Sequence, residues 1–154
     1  MGRNRSLIWG HAGFSLVELI VLLVVVGALF SLSLPAFMSY YKGAQVRAAA
    51  SGIAAYLNQG RQLAIQQNQR VCVHIASTAL HYALGSCAGT VWVGAGTDPT
   101  GNIPAPGGIT LTTTADPVFT NLGAAAPAAT VTVTHGSASL SVIVSASGRV
   151  IVGR

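Results

Sequence analysis

From Phe14 to Phe37 the chain reads FSLVELIVLLVVVGALFSLSLPAF, about 24 residues in which Glu18 carries the single charge. As a helix at ~1.5 Å per residue this stretch extends roughly 36 Å and spans a bilayer core. Pro35, near its far end, cannot donate to the helical ladder and predicts a kink or local unwinding just before it, or else marks the exit from the membrane. Beyond it, Val46, Ala49, Ala50, Ile53, Tyr56, Leu57, Gly60, Leu63 and Ala64 recur at helical spacing. Arg47, Ser51, Asn58, Gln59, Arg61, Gln62 and Gln66 fall on the other face. The pattern predicts an amphipathic continuation of the helix, with its apolar stripe laid against a sheet and with Arg61 and Arg70 in water.

After Asn68 the period changes from helical to alternating, with Val71, Val73 and Ile75 on one face and Cys72 and His74 on the other. Further strands are predicted over 80–84, 91–93, 109–113, 130–135, 140–145 and 149–152. Glycine and proline punctuation makes 94–108 a long loop, and the alanine-rich stretch 123–129 with Pro127 reads as another. Residues 145–148 form a tight hairpin turn that sets Val142 and Val144 beside Val150 and Val152. The expected fold class is α+β, a long N-terminal helix packed on an antiparallel β-sheet head, with no internal repeat.

Composition sharpens this picture. The chain is 51% hydrophobic and 7% charged, with a mean hydropathy of +0.60, and the apolar surplus sits in 14–37. The net charge of +5 arises from eight Lys and Arg against three acids, so scarcity of acids produces much of it. The cations are scattered and form no phosphate-binding stripe. Arg3, Arg5 and His11 precede the apolar stretch, which favours a cytoplasmic N-terminus and a head outside the cytoplasm.

Cys72 and Cys87 flank what reads as two strands joined by a loop. They close into a disulfide if those strands pair, which suits an oxidising compartment such as the periplasm; the other reading is two buried free thiols. Acid–base candidates are Asp98, Asp116, Glu18, His74, His81 and His135. The two aspartates stand next to prolines, where Asp is commonly a turn residue. Cys72, His74, His81 and Cys87 lack the close Cys-x-x-Cys pairs of structural zinc sites, so no metal and no cofactor is expected. With no phosphate loop, nucleophile elbow or HExxH helix, the chain is not read as an enzyme.

Gly13 followed by Phe14, Ser15, Leu16, Val17 and Glu18 resembles the processing site of type IV prepilins. Arg61, Ala64, Ile65, Asn68 and Val71 further resemble the helix-to-strand pattern of the GspH/FimT family of minor type IV pilins and type II secretion pseudopilins. Gln62 and Gln66 stand where that family often has charges. The resemblance implies a type IV pilin-like architecture: a leader over 1–13, a transmembrane and filament-core helix over 14–37, an amphipathic helix over 38–70 and a periplasmic head over 71–154. It implies a prepilin peptidase that cuts after Gly13, N-methylation of Phe14, and a salt bridge from Glu18 to the Phe14 amine of a neighbouring chain. The implied partners are other pilins or pseudopilins, the peptidase, an inner-membrane assembly platform and, before assembly, membrane lipid. The implied role is a structural subunit at or near the tip of a type II secretion pseudopilus or type IV pilus.

The alternative is a DNA-binding minor pilin for uptake in natural transformation. Members of that kind carry a GRxR pattern near the C-terminus; here Gly148 and Arg149 match, and Ile151 stands at the second arginine. Arg154 is five residues beyond Arg149, and in a regular strand such residues point to opposite faces.

Overall fold

Helical spacing in the sequence becomes a single helix, α1, over Leu16–Gln66. The computed structural model describes residues 14–153, with the side chains of 32–36 outside that description. The chain divides into two compact units, Met1–Met38 and Ser39–Arg154.

In the first unit the helical assignment of α1 continues through position 35. A proline in a long helix forfeits one backbone bond, a loss that the remaining ladder can carry. Leu16, Val17, Leu19, Ile20, Leu23 and Val24 are all exposed, as are most apolar neighbours. Among the described residues no helix is long and apolar enough to cross a membrane. The expected span 14–37 includes residues 32–36, whose side chains lie outside the description.

The second unit is the head. Its strands are β1 (Val71–Ile75), β2 (Ala79–Leu84), β3 (Thr90–Val91), β4 (Asn102–Pro104), β5 (Thr110–Thr113), β6 (Val118–Phe119), β7 (Ala129–His135), β8 (Ala138–Val144) and β9 (Val150–Val152). One antiparallel sheet runs β3-β2-β1-β6 with β4 also paired to β2, and a second runs β5-β7-β8-β9. The last hairpin has the expected register, Val142 opposite Val152 and Val144 opposite Val150. Gly148 closes its turn at φ 76, a left-handed conformation that favours glycine, and donates to the Ser145 carbonyl. Two elements differ from expectation. The loop 94–108 contains β4, and β6 lies where no strand is predicted; both are too short for a period to register.

The helical stripe is buried as its spacing demands: Val46, Ala49, Ala50, Ile53, Leu57, Leu63 and Ala64 share one core with Val71, Val73 and Tyr82 of the first sheet. Val131, Val133, Val142 and Val144 of the second sheet join the same cluster. Each buried valine, leucine or isoleucine of the stripe contributes ~1.5–3 kcal/mol on leaving water, so this stripe is what fastens the helix to the sheets. Tyr82 is fully buried, and its hydroxyl donates to the Tyr56 carbonyl at 2.9 Å. Burial, and then the neighbouring Tyr56, push its phenol well above the ordinary range. α1 ends where Asn68 takes φ 50, a left-handed residue of the kind that closes helices.

Candidate functional site

Three places hold the residues singled out in the sequence. At the first, Glu18 sits in the first turn of α1. A carboxylate there complements the positive end of the helix dipole. Phe14, four residues earlier, is 75% exposed, so the start of the helix presents one acid amid apolar surface that is not covered within the chain. Gly13 and the rest of 1–13 lie outside the described residues.

The second place is the face of the first sheet turned away from α1. Alternation along β1 puts Val71, Val73 and Ile75 into the core and leaves Cys72 and His74 on the reverse face. Cys72 and Cys87 are joined in a disulfide with Cα atoms 5.0 Å apart. Register sets His74 opposite His81, and their rings meet at 4.8 Å between centroids. Burial lowers the His81 pKa, His74 adds to the lowering, and Asp116 partly opposes it.

Asp116 completes this cluster. Its Oδ2 lies 2.6 Å from His74 Nδ1, and its Oδ1 accepts the Ile75 N–H at 3.0 Å. Asp116 thus ties a loop to β1 across a separation of 42 residues, and it is more than the local turn residue that its neighbouring proline suggests. Asp98 fits the turn reading, because its Oδ1 accepts from the backbone N–H of Thr100 and of Asn102. These bonds, with the Thr100 hydroxyl first among them, lower the Asp98 pKa. Neither aspartate has a second carboxylate or a nucleophile placed for catalysis among the described residues.

The third place is the C-terminal hairpin. Arg149 is exposed beside Gly148 just before β9, Ile151 within β9 is 41% exposed, and Arg154 lies outside the described residues. The second arginine of the DNA-binding pattern is therefore a surface isoleucine. Arg61, expected in water, is only half-exposed, and its Nε is buried without a hydrogen-bond partner. It lies under two turns: a Cβ on Gly123 would come within 2.8 Å of Nε, and one on Gly148 within 3.3 Å. A sequence cannot reveal this covering, since the turns that supply it are 62 and 87 residues downstream.

Residues 49–148 match the family model described as Type II transport protein GspH. No curated protein matches the chain. Among solved structures, the type IV minor pilin FimU of Pseudomonas aeruginosa is 16% identical with a TM-score of 0.55, over 70% of this chain and 92% of that one. The minor pseudopilin EpsH from the type 2 secretion system of Vibrio cholerae is 13% identical with a TM-score of 0.55, over 70% of this chain and 95% of that one. At such identities the likeness is one of fold, and the fold is the expected pilin-like helix on antiparallel sheets.

Proposed function

Because this chain belongs to the GspH family of type II transport proteins, whose members are structural pilin-like subunits and not enzymes, we propose that it is a minor subunit of an envelope filament, at or near the tip. The observation that carries this reading is the exposed apolar start of α1 with Glu18 in its first turn. Apolar surface on that scale is stable only in lipid or among sister helices. A carboxylate within it costs on the order of 2.5–3.5 kcal/mol unless paired.

The filament answers both demands. Residues 14–37 anchor the subunit in the inner membrane, N-terminus inward, until it is extracted by an assembly platform. Removal of 1–13 after Gly13 frees an amine on Phe14, which is methylated and keeps its positive charge. Glu18 of one chain then neutralises that amine on its neighbour, an attraction strengthened in a low-dielectric bundle of helices. The amphipathic stretch 38–70 carries the head, 71–154, on the far side of the membrane, where the Cys72–Cys87 disulfide suits an oxidising compartment.

Mass spectrometry of the N-terminus of protein purified from cells with an active prepilin peptidase tests the reading. The expected product begins at methylated Phe14. Recovery of a chain that still begins at Met1 would overturn it.

A further inference from the structure

Spacing in the sequence argues against a structural zinc centre, and the fold gives two of the residues concerned a different setting. His74 and His81 stand opposite each other on β1 and β2. Neither strand is at an edge of the first sheet, since β1 runs between β2 and β6, and β2 between β1 and the strands β3 and β4. The two rings lie on the face turned away from α1, with centroids 4.8 Å apart and planes tilted by 44°. His74 donates its Nδ1–H to Asp116 Oδ2 at 2.6 Å, and Asp116 Oδ1 accepts the Ile75 N–H. Both carboxylate oxygens are engaged, so Asp116 is not a ligand; it fixes the tautomer that leaves the His74 lone pair on Nε2. The His74 side chain is 43% exposed, and among the described residues neither ring nitrogen of His81 makes a hydrogen bond.

We propose that His74 and His81 together bind one divalent transition-metal ion, copper in preference to zinc, through one nitrogen of each ring, with water on the remaining positions. A metal–nitrogen bond of ~2.0–2.1 Å puts the ion roughly 3.2 Å from each imidazole centroid. Two rings bound at a right angle then have centroids about 4.5 Å apart, and two bound at the tetrahedral angle about 5.2 Å. The 4.8 Å separation of His74 and His81 lies between these limits. Two imidazoles with open positions impose no tetrahedral cage, so the ordinary order of divalent affinities holds and copper is taken more tightly than nickel or zinc. Calcium and magnesium, which need oxygen donors, are not ligands' match for this pair. Asp116 is a positioning residue: a carboxylate behind a ligating imidazole sets the orientation of the ring and raises its basicity.

Binding is a plain ligand exchange. Two ring lone pairs replace two waters of the ion, with no change of oxidation state and no proton released from the neutral rings. The Cys72–Cys87 disulfide stays closed and takes no part. Because both histidines project from strands with neighbours on each side, the chelating pair is held by the sheet and not by a loop. The pair carries no sequence motif, since its members face each other across a hairpin and the orienting carboxylate is 42 residues from His74.

The test uses the full chain without an affinity tag, in detergent micelles and a non-coordinating buffer, with the disulfide intact. Titration with copper(II), followed by calorimetry and by electron paramagnetic resonance, should reveal one site whose superhyperfine pattern reports two nitrogens. His74→Gln and His81→Gln should each reduce that pattern to one nitrogen. Each should also weaken binding by roughly a hundredfold, the loss expected when one arm of a two-point attachment is removed. Asp116→Asn should keep the two-nitrogen pattern while binding about tenfold more weakly. His11→Gln and His135→Gln should change neither readout. Near-ultraviolet circular dichroism from Tyr82 and Trp92 checks that each variant keeps the packing of the parent. The proposal is overturned if a doubly substituted His74→Gln, His81→Gln chain with parental packing binds copper as tightly as the parent, or if zinc displaces copper at equal concentration. Loss of the site in His11→Gln or His135→Gln would place the ion elsewhere and overturn it equally, and parental affinity in Asp116→Asn would overturn the positioning role.

Discussion

Gly60 of α1 lies so close to β1 that a Cβ on it would stand 2.7 Å from Val73 Cγ2 and 3.1 Å from Tyr82 Cε1. Both neighbours are fully buried, and Tyr82 is further tethered to the helix through the Tyr56 carbonyl. In an open helix, replacing glycine by alanine gains about 1 kcal/mol. Overpacking a closed core costs about 1–3 kcal/mol, so Gly60→Ala should be destabilising in net. Gly52, on the same helix with nothing within 4 Å of its Cβ position, supplies the control: Gly52→Ala should stabilise. Denaturant titrations of the two variants should move in opposite directions, and a stabilised Gly60→Ala would refute the close approach.

Arg61 gives a less intuitive expectation. Its Nε is buried without a partner beneath Gly123 and Gly148, and the side chain as a whole is half-buried. An unsatisfied buried donor costs about 1–3 kcal/mol. Arg61→Met keeps most of the stem and discards the orphan donor, so it should raise stability by about 1 kcal/mol. Arg61→Ala, which also loses the packing, should not. Midpoints of thermal unfolding for the pair decide the matter, and a destabilised Arg61→Met would show that the guanidinium itself holds the two turns together.

These two positions also mark how far the sequence could be read. The stripe from Val46 to Ala64, the alternation of Val71, Val73 and Ile75, and the valine register of the last hairpin all follow from periods of about 3.6 and 2. Contacts made across the chain leave no such trace. Asp116 beside Pro117 carries the local signature of a turn residue, yet its partners are His74 and Ile75. Arg61 occupies the polar face of its helix and is covered by loops that have no period of their own. Strands of two or three residues, such as β4 and β6, are set by pairing with β2 and β1 and not by their own pattern.

The His81 imidazole should make the head sensitive to mild acid. Desolvation, then the nearby His74, hold its folded pKa below the ordinary 6.5, with Asp116 opposing in part. Between that lowered value and 6.5 the unfolded chain binds more protons than the folded one. The stabilising contribution is therefore complete above pH 6.5 and is lost as the pH falls through the folded value. Unfolding free energies measured across this range should decline toward acid, and His81→Gln should flatten that decline. An equal slope in the variant would assign the sensitivity to another group.

The proposed assembly role of Glu18 can be separated from mere anchoring. In a lone membrane helix its carboxylate is a cost, so Glu18→Ala should leave membrane insertion intact and even favour it. Cleavage after Gly13 should proceed, because the substitution leaves the scissile Gly13–Phe14 bond unchanged. In the proposed filament the same substitution should strand the Phe14 amine of a neighbour in apolar surroundings, at a penalty on the order of 2.5–3.5 kcal/mol. At 1.4 kcal/mol per decade, that corresponds to roughly a hundredfold lower incorporation. Sheared filaments and whole membranes, probed side by side for the subunit, should show depletion in the first and none in the second. Equal incorporation of Glu18→Ala would mean that the carboxylate meets no amine, and the apolar helix would then serve as an anchor alone.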